Sequence, residues 1–150
     1  MKGRQRIVLD TQLFVLLVIG LTSELYIGRH KRMGGYNESD FAVLRDILMM
    51  APPVVVTPHA LAETSNLLGY ISEPARTEIR AVFRGVIAVS EERHVSSRDA
   101  AADAAFMRLG LTDAALLMAT TPADLLLTDD LDLHVAALSR GLTSLRLRDL

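Results

Sequence analysis

Short, wholly apolar runs alternate along this chain with longer stretches in which apolar residues recur every three or four positions. The first pattern marks strands buried on both faces and the second marks amphipathic helices. Arg6-Ile7-Val8-Leu9 predicts a strand, and Asp10-Thr11 caps a helix running to about Leu21. A short helical piece is expected from Ser23 to Lys31, stopped by Gly34-Gly35. Asn37 with Asp40 three residues on opens a helix with Phe41, Leu44, Ile47 and Leu48 on one face. Pro52-Pro53 breaks it before a second strand, Val54-Val55-Val56.

Thr57-Pro58 is a hydroxyl cap followed by proline at the first helical position, and predicts a helix to Gly69. The next helix is expected from Ser72, with Ile79, Val82, Phe83 and Val86 facing a core, and Ile87-Ala88-Val89 as a short edge strand. Ser96 with Asp99 predicts a helix ending near Leu109-Gly110. Thr112-Asp113 starts another, Leu125 to Thr128 forms a strand, a helix runs from Leu131 to Gly141, and Thr143 to Leu147 closes the chain as a strand. Strands alternating with helices define the α/β class, a three-layer α/β/α sandwich on a largely parallel sheet. One domain over 1–150 is expected, with a helical segment at about 22–50 and no internal repeat or low-complexity stretch.

Four acids interrupt this apolar pattern. Asp10 ends Ile7-Val8-Leu9, Glu63 lies inside Ala60 to Leu68, Asp113 precedes Ala114-Ala115-Leu116-Leu117, and Asp130 follows Leu125 to Asp129. A carboxylate beside a core is costly unless paired or neutralised. Asp10 and Asp130 fall just past strand ends, where ligands bind in such sheets. Asp113 and Glu63 sit on helices that could lean over the same edge. Mg²⁺ or Mn²⁺, one or two ions, would neutralise the group, because hard cations prefer oxygen ligands. Such ions activate water and steady a leaving oxygen, which suits phosphodiester hydrolysis. No Gly-rich phosphate loop is present, so phosphotransfer from a nucleotide is less attractive. The competing reading is local: Asp10 and Asp113 as helix caps, the others as surface charges.

Composition narrows the setting. The 150 residues are 50% hydrophobic and contain no cysteine, excluding thiolate metal sites and cysteine nucleophiles and suiting a reducing cytoplasm. The start imitates a signal peptide, but Asp10-Thr11-Gln12 interrupts the apolar run and no small-x-small cleavage site follows. The Leu13 to Leu21 run is about half of the ~20 residues a membrane span needs, and is expected in the core or a dimer interface. Net charge is −2 but uneven: residues 1–36 carry +4 and the remainder −6. Arg29, Lys31 and Arg32 could contact RNA phosphates or form a solvated helix end. Arg76, Arg80 and Arg84 form one helical stripe, more simply a solvated face. His59 and Glu63 stand four apart on a helix, and the histidine is expected as a hydrogen-bonding neighbour rather than a ligand.

Val8-Leu9-Asp10-Thr11, Leu61-Ala62-Glu63, Leu111-Thr112-Asp113-Ala114-Ala115 and Leu127-Thr128-Asp129-Asp130-Leu131-Asp132-Leu133 occur in that order across nearly the whole chain. Together they resemble the PIN-domain ribonuclease family, and a compact chain of this kind is similar to its VapC-like toxin group. The resemblance implies a Mg²⁺/Mn²⁺-dependent endoribonuclease leaving 5′-phosphate and 3′-hydroxyl ends. It implies Asp10, Glu63, Asp113 and Asp130 as metal-binding catalytic acids. Thr11 would support the site, and Thr128 would position Asp130 by hydrogen bonding. Asp129 and Asp132 crowd Asp130 and compete for its role, and Asn66 could reach the entrance from one turn beyond Glu63. By the same resemblance the protein would be a cytoplasmic homodimer restrained by a small antitoxin, with RNA as substrate and no membrane partner. The chain departs from the family pattern in Gln12, where asparagine is common, and in a longer segment from Thr22 to Met50. A stand-alone nuclease and a non-catalytic α/β module with an acidic pocket are the alternatives. A phosphoacceptor receiver domain would need a late lysine, and none follows Lys31.

Overall fold

A computed structural model describes residues 5–150. Five strands, β1 (Ile7–Leu9), β2 (Val55–Val56), β3 (Glu91–Glu92), β4 (Leu125–Leu127) and β5 (Thr143–Leu145), form one sheet in the order β3-β2-β1-β4-β5. All four pairings are parallel, with Val8 opposite Leu126 and Leu9 opposite Leu127. The helices are α1 (Thr11–Thr22), α2 (Glu38–Met49), α3 (Pro58–Leu68), α4 (Ala75–Val89), α5 (Ser97–Ala102), α6 (Phe106–Leu109), α7 (Leu111–Ala119) and α8 (Leu131–Ser139).

The period of two along each strand divides the core. Ile7, Leu9, Val56 and Leu127 face one side, packing with α1, Phe41 and Leu44 of α2, and Ile79 and Phe83 of α4. Val8, Val55 and Leu126 face the other, against Leu116 and Leu117 of α7 and Leu133 and Ala137 of α8. Helices thus cover both faces of the sheet, giving the expected α/β/α sandwich. Helix α1 is buried over almost its whole length, Leu13 to Gly20, as its uninterrupted apolar sequence requires. At Gly20 an added Cβ would lie 2.1 Å from the Phe41 ring, so glycine allows α1 and α2 to close on one another. No helix among the described residues is long and apolar enough to cross a membrane.

Local capping chemistry sets several boundaries. Asp10 caps α1, Asn37 and Asp40 form a reciprocal capping box on α2, Thr57 caps α3 ahead of Pro58, and Ser96 caps α5.

Elsewhere the expectations need correction. Between Ser23 and Lys31 only Glu24–Tyr26 is helical, as a single 3-10 turn. Helix α4 begins at Ala75 rather than Ser72. Ile87-Ala88-Val89 is the last turn of α4, not a strand; the edge strand is Glu91–Glu92, held by Glu91 N–H donating to Val54 O at 2.8 Å. The helix expected from Ser96 to Leu109 is broken at Asp103, whose side chain accepts from Ala105 N–H and pairs with Arg140. The last strand stops at Leu145, and Leu147–Asp149 is a 3-10 turn. Lys2 and Arg4 of the basic N-terminal segment lie outside the described residues.

Candidate functional site

From β1 the chain moves outward through β2 to β3, then crosses back to β4 on the other side of β1. The switch point lies between β1 and β4, and the crevice beyond their carboxyl ends is where a doubly wound sheet binds ligands. Asp10 is the first residue past β1, and Thr128, Asp129 and Asp130 are the first three past β4. A pocket of about 470 Å³ opens here, lined by Asp10, Thr11, Glu63, Asp113, Asp129 and Asp130. Gln12, Gly35, Tyr36, Leu67 and Arg148 complete its wall.

Each acid arrives by its own local route. Asp10 caps α1, its Oδ1 accepting from Leu13 N–H at 3.2 Å, while its Oδ2 accepts from the Thr128 hydroxyl. That hydroxyl also accepts from Asp130 N–H at 2.9 Å, so one buried threonine ties the ends of β1 and β4 together. Asp130 in turn caps α8 through Leu133 N–H at 3.1 Å. Asp113 lies in the first turn of α7, but the cap position is Gly110, which makes no side-chain capping bond. Capping therefore accounts for Asp10 and Asp130 and leaves Asp113 unexplained. Glu63 projects from the exposed side of α3. Among the described residues neither Glu63 nor Asp113 has a hydrogen-bond or ion-pair partner.

Crowding is visible in the protonation equilibria. Burial pushes the Asp10 carboxyl up to about 6, against the hydrogen bonds from Thr128 and Leu13 that pull it down, and the charges of Asp130 and Asp129 add to the rise. Burial pushes Asp113 up to about 7, reinforced by the charges of Asp130, Asp10 and Glu63. Thr11 Oγ1 is buried on the same pocket wall with no hydrogen-bond partner, an orphaned oxygen donor beside acids that repel one another.

Asp129 has a different role in the wall. It accepts from the Tyr36 hydroxyl at 2.8 Å and from Arg148 N–H at 2.9 Å, with Arg148 Nε at 3.6 Å. The Arg148 guanidinium lies over the Tyr36 ring at 4.7 Å and donates to Gly35 O at 3.0 Å. Burial, then the bond to Asp129 and its charge, hold the Tyr36 phenol protonated far above neutrality. No local pattern in the sequence marks Tyr36 or Arg148, because their relation to Asp129 spans 93 and 19 residues.

The other candidates lie elsewhere. Asp132 turns outward to Arg108 at 3.2 Å, and exposed Asn66 is not part of the pocket wall. Arg29 and Lys31 line a second cleft, with Arg32 beside it over the Tyr70 ring at 4.3 Å. His59 is bonded to Ser97 Oγ at 2.9 Å and is outside the acidic pocket.

The donor set is all hard oxygen, carries several negative charges against Arg148, and includes an unsatisfied hydroxyl; it suits Mg²⁺ or Mn²⁺ in chemistry and charge. Among the described residues no group of three or more acidic or histidine side chains is already arranged to grip an ion. Fold and site thus define an α/β protein with an acidic pocket at its switch point. No protein-family model matches the chain, and no curated protein matches it.

Proposed function

We propose that the protein is a metal-dependent endoribonuclease of PIN type, hydrolysing RNA phosphodiester bonds in the acidic pocket. The observation that carries this reading is convergence. Four acids spread from position 10 to position 130 line one crevice at the switch point, and two of them bind protons far more readily than ordinary carboxyls. No local structural need explains Glu63 or Asp113, whereas a divalent cation would account for all four.

A Mg²⁺ or Mn²⁺ ion held by Asp10, Glu63, Asp113 and Asp130 would supply water activation and stabilisation of the leaving oxygen. The chain's own groups do the rest. Thr128 orients Asp10 and the backbone leading into Asp130. Glu63, exposed and unpartnered, is free to turn toward the other three. Arg148, held by Asp129 and Tyr36, is the cation on the pocket wall and can meet the phosphate.

Purified protein should cleave single-stranded or structured RNA with Mn²⁺ and stop in EDTA. Asp10→Asn and Asp130→Asn should each lower the rate by about a hundredfold or more. Cleavage persisting in both variants would refute the reading. A second reading, a non-catalytic module, rests on the same acidic pocket, which would hold a cation without using it in chemistry. It predicts Mn²⁺ binding without turnover on any nucleic acid.

Within the nuclease reading, a VapC-like toxin acting in the cytoplasm as a homodimer under a small antitoxin is the narrower proposal. A short adjacent reading frame encoding a small DNA-binding protein would support it; its absence favours a stand-alone nuclease.

A further inference from the structure

Beside the acidic pocket lies a roomier cleft of about 710 Å³, between the turn after Tyr26 and the segment joining α3 to α4. Arg29, Lys31 and Arg76 line it, together with Tyr26, Tyr70 and Ser72. Arg29 and Lys31 are exposed and have no acidic partner among the described residues. The acid in the cleft, Glu73, is already engaged. It accepts from Thr77 N–H at 2.7 Å and from the Thr77 hydroxyl, and lies 3.7 Å from Arg76. Glu78 nearby is taken by the Tyr26 hydroxyl at 3.1 Å.

The cleft walls are organised rather than loose. His30, buried, has Nε2 3.3 Å from Leu68 O, and its Nδ1 accepts from Arg32 N–H at 3.1 Å. That fixes the basic turn against the end of α3. Arg32 stacks on Tyr70 at 4.3 Å, holding that ring in the wall. The two pockets also share a partition. Gln12, on the acidic wall, donates to Arg32 O at 2.8 Å. On α3, Glu63 and Leu67 face the acidic pocket, and Gly69 and Tyr70, just past its end, border the cleft. Gly69 is six helical steps beyond Glu63, about 9 Å at the helical rise.

We propose that this cleft is a nucleotide subsite: Arg29, Lys31 and Arg76 hold a phosphate of a single nucleic-acid strand whose reactive phosphodiester lies in the adjoining acidic pocket, with the Tyr26 and Tyr70 rings beside its base. Two cations, Arg29 and Lys31, unpaired among the described residues and interleaved with aromatic rings, are what single-stranded nucleic acid requires, phosphate contacts supplying affinity and ring faces accepting any base. An acidic protein segment would also meet the cations, but the tyrosines and the shared wall with a carboxylate pocket favour the strand. That the strand is RNA rests on the nuclease reading.

The test is fluorescence anisotropy of a fluorescein-labelled oligouridylate with the full chain in EDTA, where no cleavage occurs. The wild type should bind, and Arg29→Ala/Lys31→Ala should weaken binding about tenfold or more and, by releasing one phosphate contact, reduce the log–log salt slope by about 0.7. Lys31→Gln alone should give a smaller loss in the same direction. Arg84→Ala/Arg98→Ala, which removes the same charge from exposed positions outside the cleft, should leave affinity within about twofold. No oligouridylate binding by the wild type, unchanged affinity in the cleft variants, or an equal loss in the control pair would overturn the subsite. So would binding of polyglutamate at the cleft in place of the oligonucleotide. Cleavage that survives Asp10→Asn would instead count against the nuclease reading and leave the anisotropy result standing.

Discussion

At the residue scale, the acids in the pocket differ in what they contribute. Asp10 and Asp130 hold the backbone as well as facing the crevice, and Thr128 joins them. Thr128→Val keeps the volume but leaves Asp130 N–H and one Asp10 oxygen without their bonds. It should lower stability by about 1–3 kcal/mol in chemical unfolding and reduce cleavage together with it. Asp113 has no such structural use, and its charge is a liability in the metal-free fold. With both Asp10 and Asp113 raised on folding, their stabilising contribution is complete below the unfolded value near 3.8 and is lost as pH rises through about 6 and 7. Metal-free protein should therefore melt at lower temperature at pH 8 than at pH 5.5. Asp113→Asn should gain about 1–2 kcal/mol at pH 8, a figure reduced for its partial exposure, and flatten that dependence in thermal melts recorded in EDTA. The same variant should lose cleavage activity, separating function from stability at one position.

At the element scale, short-range chemistry was readable and long-range chemistry was not. The caps at Asp10, Asn37, Thr57 and Ser96 were legible because each involves a side chain and a backbone N–H three residues away. Ile87-Ala88-Val89 is ambiguous in sequence, because three apolar residues fit a helix end as well as a strand. The true edge strand, Glu91–Glu92, carries no apolar pattern. Glu91 is paired across the chain with Arg6 at 2.7 Å and locally with Arg93 at 2.9 Å. The break at Asp103 likewise depends on Arg140, 37 residues on. Helix α7 shows how an element aims a site residue. Gly110, at φ 87 and ψ −179, occupies backbone space that is nearly glycine-only and lets the chain turn directly into the helix bearing Asp113. Nothing would collide with a Cβ there, so Gly110→Ala should cost about 1–3 kcal/mol through backbone strain alone. Circular dichroism melts would measure that cost, and a parallel loss of activity would reveal the displaced Asp113.

At the scale of the whole molecule, strand order creates the site. The sequence pattern supported an α/β sandwich, but no local signal told that β4 would return beside β1 rather than extend the sheet beyond β3. That crossover is what sets Asp10 against Thr128, 118 residues further along the chain. The four acids could be named from their setting in apolar segments; the Tyr36–Asp129–Arg148 wall could not, because it joins distant positions, and of the basic cleft only the Arg29–Lys31 side was legible, its opposite wall at 69–76 being set by the fold. Asp132, close to Asp130 in sequence, is carried round α8 to the surface and Arg108. The central claim, that the pocket's acids act as one divalent-cation site, is tested most directly by calorimetric titration of metal-free protein with Mn²⁺ at pH 6.5 in buffers of different ionisation heat. The account predicts saturable binding of one or two ions with proton release, because Asp10 and Asp113 are partly protonated there, and its loss in Asp10→Asn/Asp113→Asn. Absence of binding, or binding with the same affinity and proton release in that double variant, would contradict it.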